Sequence, residues 1–142
     1  ARGCFVGLTD YHTRSHMVRA VYEGIVFSHL THVKRLLANR EPPKTVRLAG
    51  GAANSPVWVQ MFADALQLPI ETVECGEQGI LGAAIAAGVG AGVFESYQQA
   101  MEKMVRVSGR VEPRREYRAV YEKKYRAYRA IVEALDPVWE QL

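Results

Sequence analysis

The sequence predicts an α/β fold, and three observations carry that prediction. Two short β-prone runs, Thr45–Ala49 and Ile70–Cys75, each end in a glycine-bearing turn. Each turn opens into a stretch with helical patterning, Pro56–Gln67 after the first and Ile80–Gly92 after the second. A long stretch without proline precedes the first run, so the order is helix, strand, helix, strand, helix, which is the alternation of a parallel layer with crossover helices. With 142 residues, 49% of them hydrophobic, the chain can bury one modest core, and a single domain is the expectation.

The elements follow in order. Gly3–Leu8 is a short apolar segment bounded by Gly3 and Gly7, read as a strand end or an extended entry. From about Thr13 to Asn39 a long helix is predicted, with Met17, Val21, Gly24, Ile25, Ser28 and Thr31 or His32 three or four apart on the face expected to be buried. Gly24 in mid-helix costs about 1 kcal/mol against alanine, and a close approach of another backbone is the expected compensation. Pro42 and Pro43 end this helix. Pro56–Gln67 places Val57, Met61, Ala65 and Leu68 on one stripe with Phe62 and Leu66 beside it. In Ile70–Cys75 apolar and polar residues alternate, as in a strand with one face buried. Ile80–Gly92 has very small side chains and could lie close to a sheet or a ligand. Ser96–Val105 adds a helix, and Pro113–Leu135 a last one, whose stripe of Tyr117, Val120, Tyr121, Tyr125, Tyr128, Ile131, Val132 and Leu135 reads as a core seam.

Composition removes several function classes from the expectation. The formal charge of +3 invites a nucleic-acid partner, yet the basic residues of Arg110–Arg118 and Lys123–Arg126 are interleaved with acidic ones, as on the solvated face of a helix, so none is expected. Neither a signal peptide nor a membrane-length apolar run is visible; cytosol is the expected compartment. Cys4 and Cys75 form no CxxC pair, and a disulfide between them is not expected in a reducing compartment. The chain starts at Ala1 without a methionine and is taken as a piece of a longer protein.

The stretch Arg47-Leu48-Ala49-Gly50-Gly51-Ala52-Ala53-Asn54-Ser55-Pro56-Val57-Trp58 is the candidate site. Gly50 and Gly51 permit backbone angles or close approaches that a side chain forbids. Ser55 or Asn54 is the N-cap of the following helix, and Pro56 suits its first position. A strand ending in glycine beside a helix N-terminus is where open α/β sheets bind ligands, and a flat ring or a ribose could lie on the bare backbone. The same pattern also fits a tight turn that holds no ligand. Other motifs lack their essential parts. Gly88-Val89-Gly90-Ala91-Gly92 follows a helix rather than a strand and reads as a helix C-terminus; His12/His16 and His29/His32 lack a third metal ligand; Glu23, Asp64 and Glu77 have no paired nucleophile. No catalytic residue and no metal ligand is assigned to this chain.

Phe5-Val6-Gly7-Leu8 with His12-Thr13-Arg14-Ser15-His16-Met17-Val18-Arg19-Ala20-Val21-Tyr22-Glu23-Gly24 closely resembles the second signature of the FGGY carbohydrate kinases. Leu48–Ser55 resembles that family's adenosine motif, and Glu77-Gln78-Gly79-Ile80-Leu81-Gly82-Ala83-Ala84 the segment after it. The matches occur in family order and span essentially the whole chain; around His12–His32 the wording is nearest to L-xylulose and related pentulose kinases.

The resemblance implies a two-domain protein of the actin-like ATPase superfamily, with ribonuclease-H-like cores and the active site in the cleft between them. Residues 1–142 would be the C-terminal, nucleotide-binding domain, incomplete at its N-terminal side and extended by C-terminal helices. The implied reaction moves the γ-phosphate of Mg-ATP to a terminal hydroxyl of a ketopentose such as xylulose. Gly50 and Gly51 would then form the turn under adenine and ribose, Ala52 would keep that wall low, and Asn54 and Ser55 would supply hydrogen bonds. Sugar contacts, the acidic residue for Mg2+ and the catalytic aspartate would come from the N-terminal domain of the same protein; relatives often dimerise, and the oligomeric state, a homodimer included, stays open. A non-catalytic nucleotide-binding module, or a structural α/β piece without ligand, are the alternatives.

Overall fold

A computed structural model describes residues 3–74 and 77–141, apart from the side chain of Glu140. The chain divides into two compact units, one formed by residues 1–42, 64–67 and 114–142, the other by 43–63 and 68–113. Among the described residues no helix is long and apolar enough to cross a membrane.

In the first unit, helix α1 (Arg14–Leu36) packs against helix α5 (Arg118–Leu135). Thr13 caps α1 reciprocally with His16: the Thr13 backbone N–H donates to His16 Nδ1 at 3.1 Å, and its hydroxyl lies 2.9 Å from the same nitrogen. Lys34 and Arg35 in the last turn complement the helix dipole. The core is aromatic. Phe27 and Leu30 of α1 meet Tyr121 and Tyr125 of α5, with the Phe27 ring 6.2 and 6.0 Å from the two tyrosine rings. Burying each such side chain contributes about 1.5–3 kcal/mol, and Tyr125 keeps its hydroxyl satisfied at 3.1 Å from the Thr31 hydroxyl.

Helix α1 does not bury the face its sequence periodicity selects. Glu23, Val26, Phe27 and Leu30 are buried, whereas Met17, Val21 and Ile25 remain 37–47% exposed. The reason is local chemistry. Glu23 is held on the buried side by Arg19 at 2.9 Å and Lys124 at 2.7 Å, so a carboxylate occupies a position that pattern reading gives to an apolar residue. Gly24 has no close neighbour either; a Cβ built there meets nothing within 4 Å. On α5 the predicted seam is likewise only partly sealed, with Tyr121 and Tyr125 buried and Val120 and Val132 exposed.

A second buried charge closes this unit's lower part. Asp64 is fully buried and accepts from the Arg114 backbone N–H at 2.8 Å, from Nε at 3.0 Å and from Nη2 at 2.6 Å. The Arg114 guanidinium also stacks 4.4 Å from the Tyr117 ring centroid. The predicted last helix therefore starts later than Pro113: Arg115–Tyr117 is a 3₁₀ turn and α5 begins at Arg118.

The second unit holds a three-stranded sheet in the order β1 (Val46–Leu48), β2 (Ile70–Val73), β3 (Val107–Val111). Strands β1 and β2 are parallel, joined through helix α2 (Pro56–Leu66), as the alternation predicts. Strand β3 is a correction. It runs antiparallel to β2 and takes in Arg110 and Val111, which the sequence reading placed on a helix face. Its charge has a partner on the sheet: Glu71 lies opposite Arg47 on one side and Arg110 on the other, at 3.2 and 3.4 Å.

Val59, Met61, Phe62 and Ala63 of α2 and Ile70 of β2 are buried, while Val57, assigned to the buried stripe, is 63% exposed. Gln67, with φ +55°, terminates α2 in the left-handed region. Helix α3 (Gln78–Gly90) ends where the sequence puts its terminus, at Gly92 with φ +74°. Gly88 lets the Phe94 ring fold onto the helix, since a Cβ would lie 2.8 Å from two ring carbons. Helix α4 (Tyr97–Met104) is capped by Ser96, whose hydroxyl accepts from the Gln99 N–H at 3.2 Å. The end of the predicted second strand at Cys75, the pairing of Cys4 with Cys75 and the Gly76 part of the turn lie outside the described residues; Cys4 is exposed.

Candidate functional site

The glycine stretch lies wholly within the second unit, at the carboxyl edge of β1. Because β1 and β2 are adjacent and parallel, the turn after β1 and the start of α3 after β2 emerge at the same edge of the sheet. This is the edge at which parallel sheets bind ligands, because strand-to-helix turns there present backbone rather than side chains.

Gly50 has φ +82° and ψ −166°, a combination essentially confined to glycine. Its carbonyl accepts from the Ala53 N–H at 3.0 Å, closing a 3₁₀ turn over Gly51–Asn54. The sequence predicts a turn here, and the small run Gly51-Ala52-Ala53 winds it into one tight 3₁₀ turn. A Cβ added at Gly50 or Gly51 meets no atom within 4 Å, so the outer surface of this turn is open. Only Gly50 requires its unusual angles, and Gly51 takes ordinary ones.

Ser55 is the cap of α2. Its hydroxyl accepts from the Trp58 N–H at 3.4 Å and its carbonyl from the Val59 N–H at 2.9 Å, with Pro56 as the first helical residue. Asn54 is exposed, and Ala52 and Ser55 are half-buried. The five residues singled out from the sequence lie within one 3₁₀ turn, its glycine cap and the cap of the helix that follows it. None of them is charged.

The carboxylates considered as acids or bases have other work. Glu23 and Asp64 hold the first unit together through their ion pairs, and Glu77 is exposed at the N-cap of α3. His12 and His16 point Nδ1 at Thr9 and Thr13 respectively, so each imidazole secures a turn. The strand β3, which the sequence reading missed, had a signal in Val105, Val107 and Val111 at even spacing, hidden by the charges between them.

Residues 1–91 match the C-terminal domain of the FGGY family of carbohydrate kinases. The chain belongs to that family. FGGY members are phosphotransferases with the actin-like ATPase fold, and this chain is an α/β portion of their C-terminal domain. Among relatives, it is 40% identical to the L-xylulose/3-keto-L-gulonate kinase of Escherichia coli over 92% of its own length and 26% of that protein. Among solved structures, a ligand-bound xylulose kinase from Lactobacillus acidophilus superposes with a TM-score of 0.85 at 30% identity, covering 96% of this chain and 28% of that one. A gluconate kinase from the same organism gives 0.84 at 30% identity, covering 95% and 27%. The FGGY chain thus spans about a quarter of the length of the kinases it matches.

Proposed function

We propose that the intact protein transfers the γ-phosphate of ATP to a terminal hydroxyl of a ketopentose of the xylulose type, and that this chain supplies the adenosine end of the nucleotide site. One observation carries the assignment of that end: the open backbone surface at Gly50 and Gly51, at the carboxyl edge of two parallel strands, with Gly50 in a conformation that excludes other residues. Glycine takes such a conformation without strain and leaves the backbone uncovered there. Adenine and ribose would rest on Gly50, Gly51 and Ala52, and Asn54 would offer its amide to the ring edge. Ser55 caps α2 directly after this turn, which fixes the turn's position relative to the helix.

ATP supplies the phosphoryl group when bound. The residues here orient its neutral end and keep it from rotating, a positional contribution. Mg2+ and the groups that neutralise the developing phosphate charge belong to the parts of the protein beyond this chain. The sugar preference rests on the names of relatives, which include xylulose, 3-keto-L-gulonate and gluconate kinases. The family reading extends to a cytosolic protein.

The test is an assay of the full-length protein for sugar-dependent ADP release across D-xylulose, L-xylulose, ribulose, gluconate and glycerol. Turnover with a xylulose above the other compounds is the expected result. Nucleotide binding with no turnover on any of them would make the protein a non-catalytic nucleotide-binding module, and no nucleotide binding would make the glycine turn purely structural.

A further inference from the structure

The carboxyl edge of the sheet carries a second polar feature, one strand away from the glycine turn. Thr72 pairs in register with Leu48, the last residue of β1, so it lies beside the point from which the chain runs through Ala49 into Gly50. On the other side of β2 the register slips between Thr72 and Val73. Thr72 pairs with Gly109 and Val73 with Val107, which leaves Ser108 as an extra residue in β3. Bulges of this kind re-aim side chains and are frequent beside binding sites. Here the Ser108 hydroxyl comes to lie 3.1 Å from that of Thr72, on an exposed part of the sheet. Gly109 keeps the place open, because a Cβ there would stand 3.0 Å from Thr72 Oγ1. Among the described residues neither hydroxyl has another hydrogen-bond partner.

We propose that the Thr72–Ser108 hydroxyl pair reads the 6-amino edge of the adenine ring, an inference that rests on the reading of the glycine turn as the adenosine wall. Two hydroxyls that share one hydrogen bond retain one O–H to donate and oxygen lone pairs to accept. The 6-amino edge of adenine is the complement, an N–H donor beside a ring nitrogen that accepts. The spacing is of the right scale for a nucleoside whose ribose rests on Gly50: adjacent strands lie about 4.8 Å apart, and two residues of chain add at most ~7 Å. A cross-strand Thr–Ser pair that only stabilises a sheet forms between directly opposed residues. This one depends on the slipped register and on a glycine beside it.

The experiment compares ATP with purine riboside triphosphate, which lacks the 6-amino group, on the full-length protein. Dissociation constants come from calorimetry, which needs no turnover, and KM for sugar is measured on the same variants. The unmodified protein is expected to bind ATP roughly 3–10-fold more tightly than the purine analogue, the worth of one neutral hydrogen bond. Thr72→Val keeps the shape and removes the hydroxyl; it is expected to lose that preference while KM for sugar changes by less than about twofold. Thr72→Ser is expected to restore it. Because the readout is a ratio of two ligands, a loss of stability alone does not move it. An undiminished preference in Thr72→Val, or no preference in the unmodified protein, overturns the proposal. If Gly51→Val weakens ATP binding in either case, the adenosine wall stands without the hydroxyl pair. Absence of ATP binding to the unmodified protein overturns both.

Discussion

Substituting Gly51 by valine separates a nucleotide wall from a mere turn. Gly51 lies in an ordinary backbone conformation at the start of a 3₁₀ turn, and a Cβ there meets no atom within 4 Å. Valine is therefore accepted by the fold, at a cost below about 1 kcal/mol from the usual propensity differences. Its methyl groups would occupy the space in which a purine rests against the backbone. Losing that contact surface amounts to about 1.4–2.8 kcal/mol, or roughly 10–100-fold in affinity. In the full-length enzyme KM for ATP should rise by that factor, while KM for sugar changes by less than about twofold.

Gly50→Ala supplies the contrast. With φ +82° and ψ −166°, alanine at Gly50 strains the backbone itself, by about 1–3 kcal/mol. It should lower Tm whether or not nucleotide is present, whereas Gly51→Val should leave Tm nearly unchanged. Steady-state kinetics with each substrate varied, together with thermal melts of both variants, decide the matter. Equal rises in both KM values for Gly51→Val, or no change in either, would refute the idea that a nucleoside lies on this turn.

Two further predictions concern the first unit. Asp64→Ala removes a fully buried carboxylate that receives three hydrogen bonds from Arg114; denaturant unfolding should show a loss of about 3 kcal/mol, and a loss under about 0.5 kcal/mol would mean the pair is idle. Tyr121 ionises above its usual range, because burial disfavours the phenolate and the nearby Glu23 charge adds to that, against a smaller opposing effect of Arg19. A phenol whose pKa is raised by folding contributes its stability in full below the unfolded value of about 10 and loses it as pH climbs toward the folded one. Removing that group with Tyr121→Phe should therefore flatten the decline of stability above pH ~10 and remove one tyrosine ionisation from the alkaline end of the ultraviolet titration. An unchanged alkaline profile would contradict the assignment.

The glycine stretch was legible as a strand-turn-helix because its chemistry is local. Gly-Gly after an apolar run, a capping serine and a proline at the first helical position dictate a strand-turn-helix through backbone preferences alone, and Ser55 and Pro56 fill those roles. The same holds for the end of α3 at Gly90 and Gly92 and for the parallel pairing of β1 with β2. The family signature is local as well, since each motif lies within a few consecutive residues.

Tertiary structure decided what depends on partners distant in sequence. Periodicity along α1 selects the face of Met17, Val21 and Ile25, yet the fold buries that of Val26, Phe27 and Leu30. On the buried side Lys124, 101 residues away in the sequence, pairs with Glu23, a partner that no local pattern reveals. Strand β3 was hidden in a charged stretch because Arg110 gains its role only when Glu71 stands opposite it on β2. Spacing along a chain reports which backbone conformation a segment favours; which of its faces is covered, and which charge is neutralised, depends on groups that only folding brings within reach.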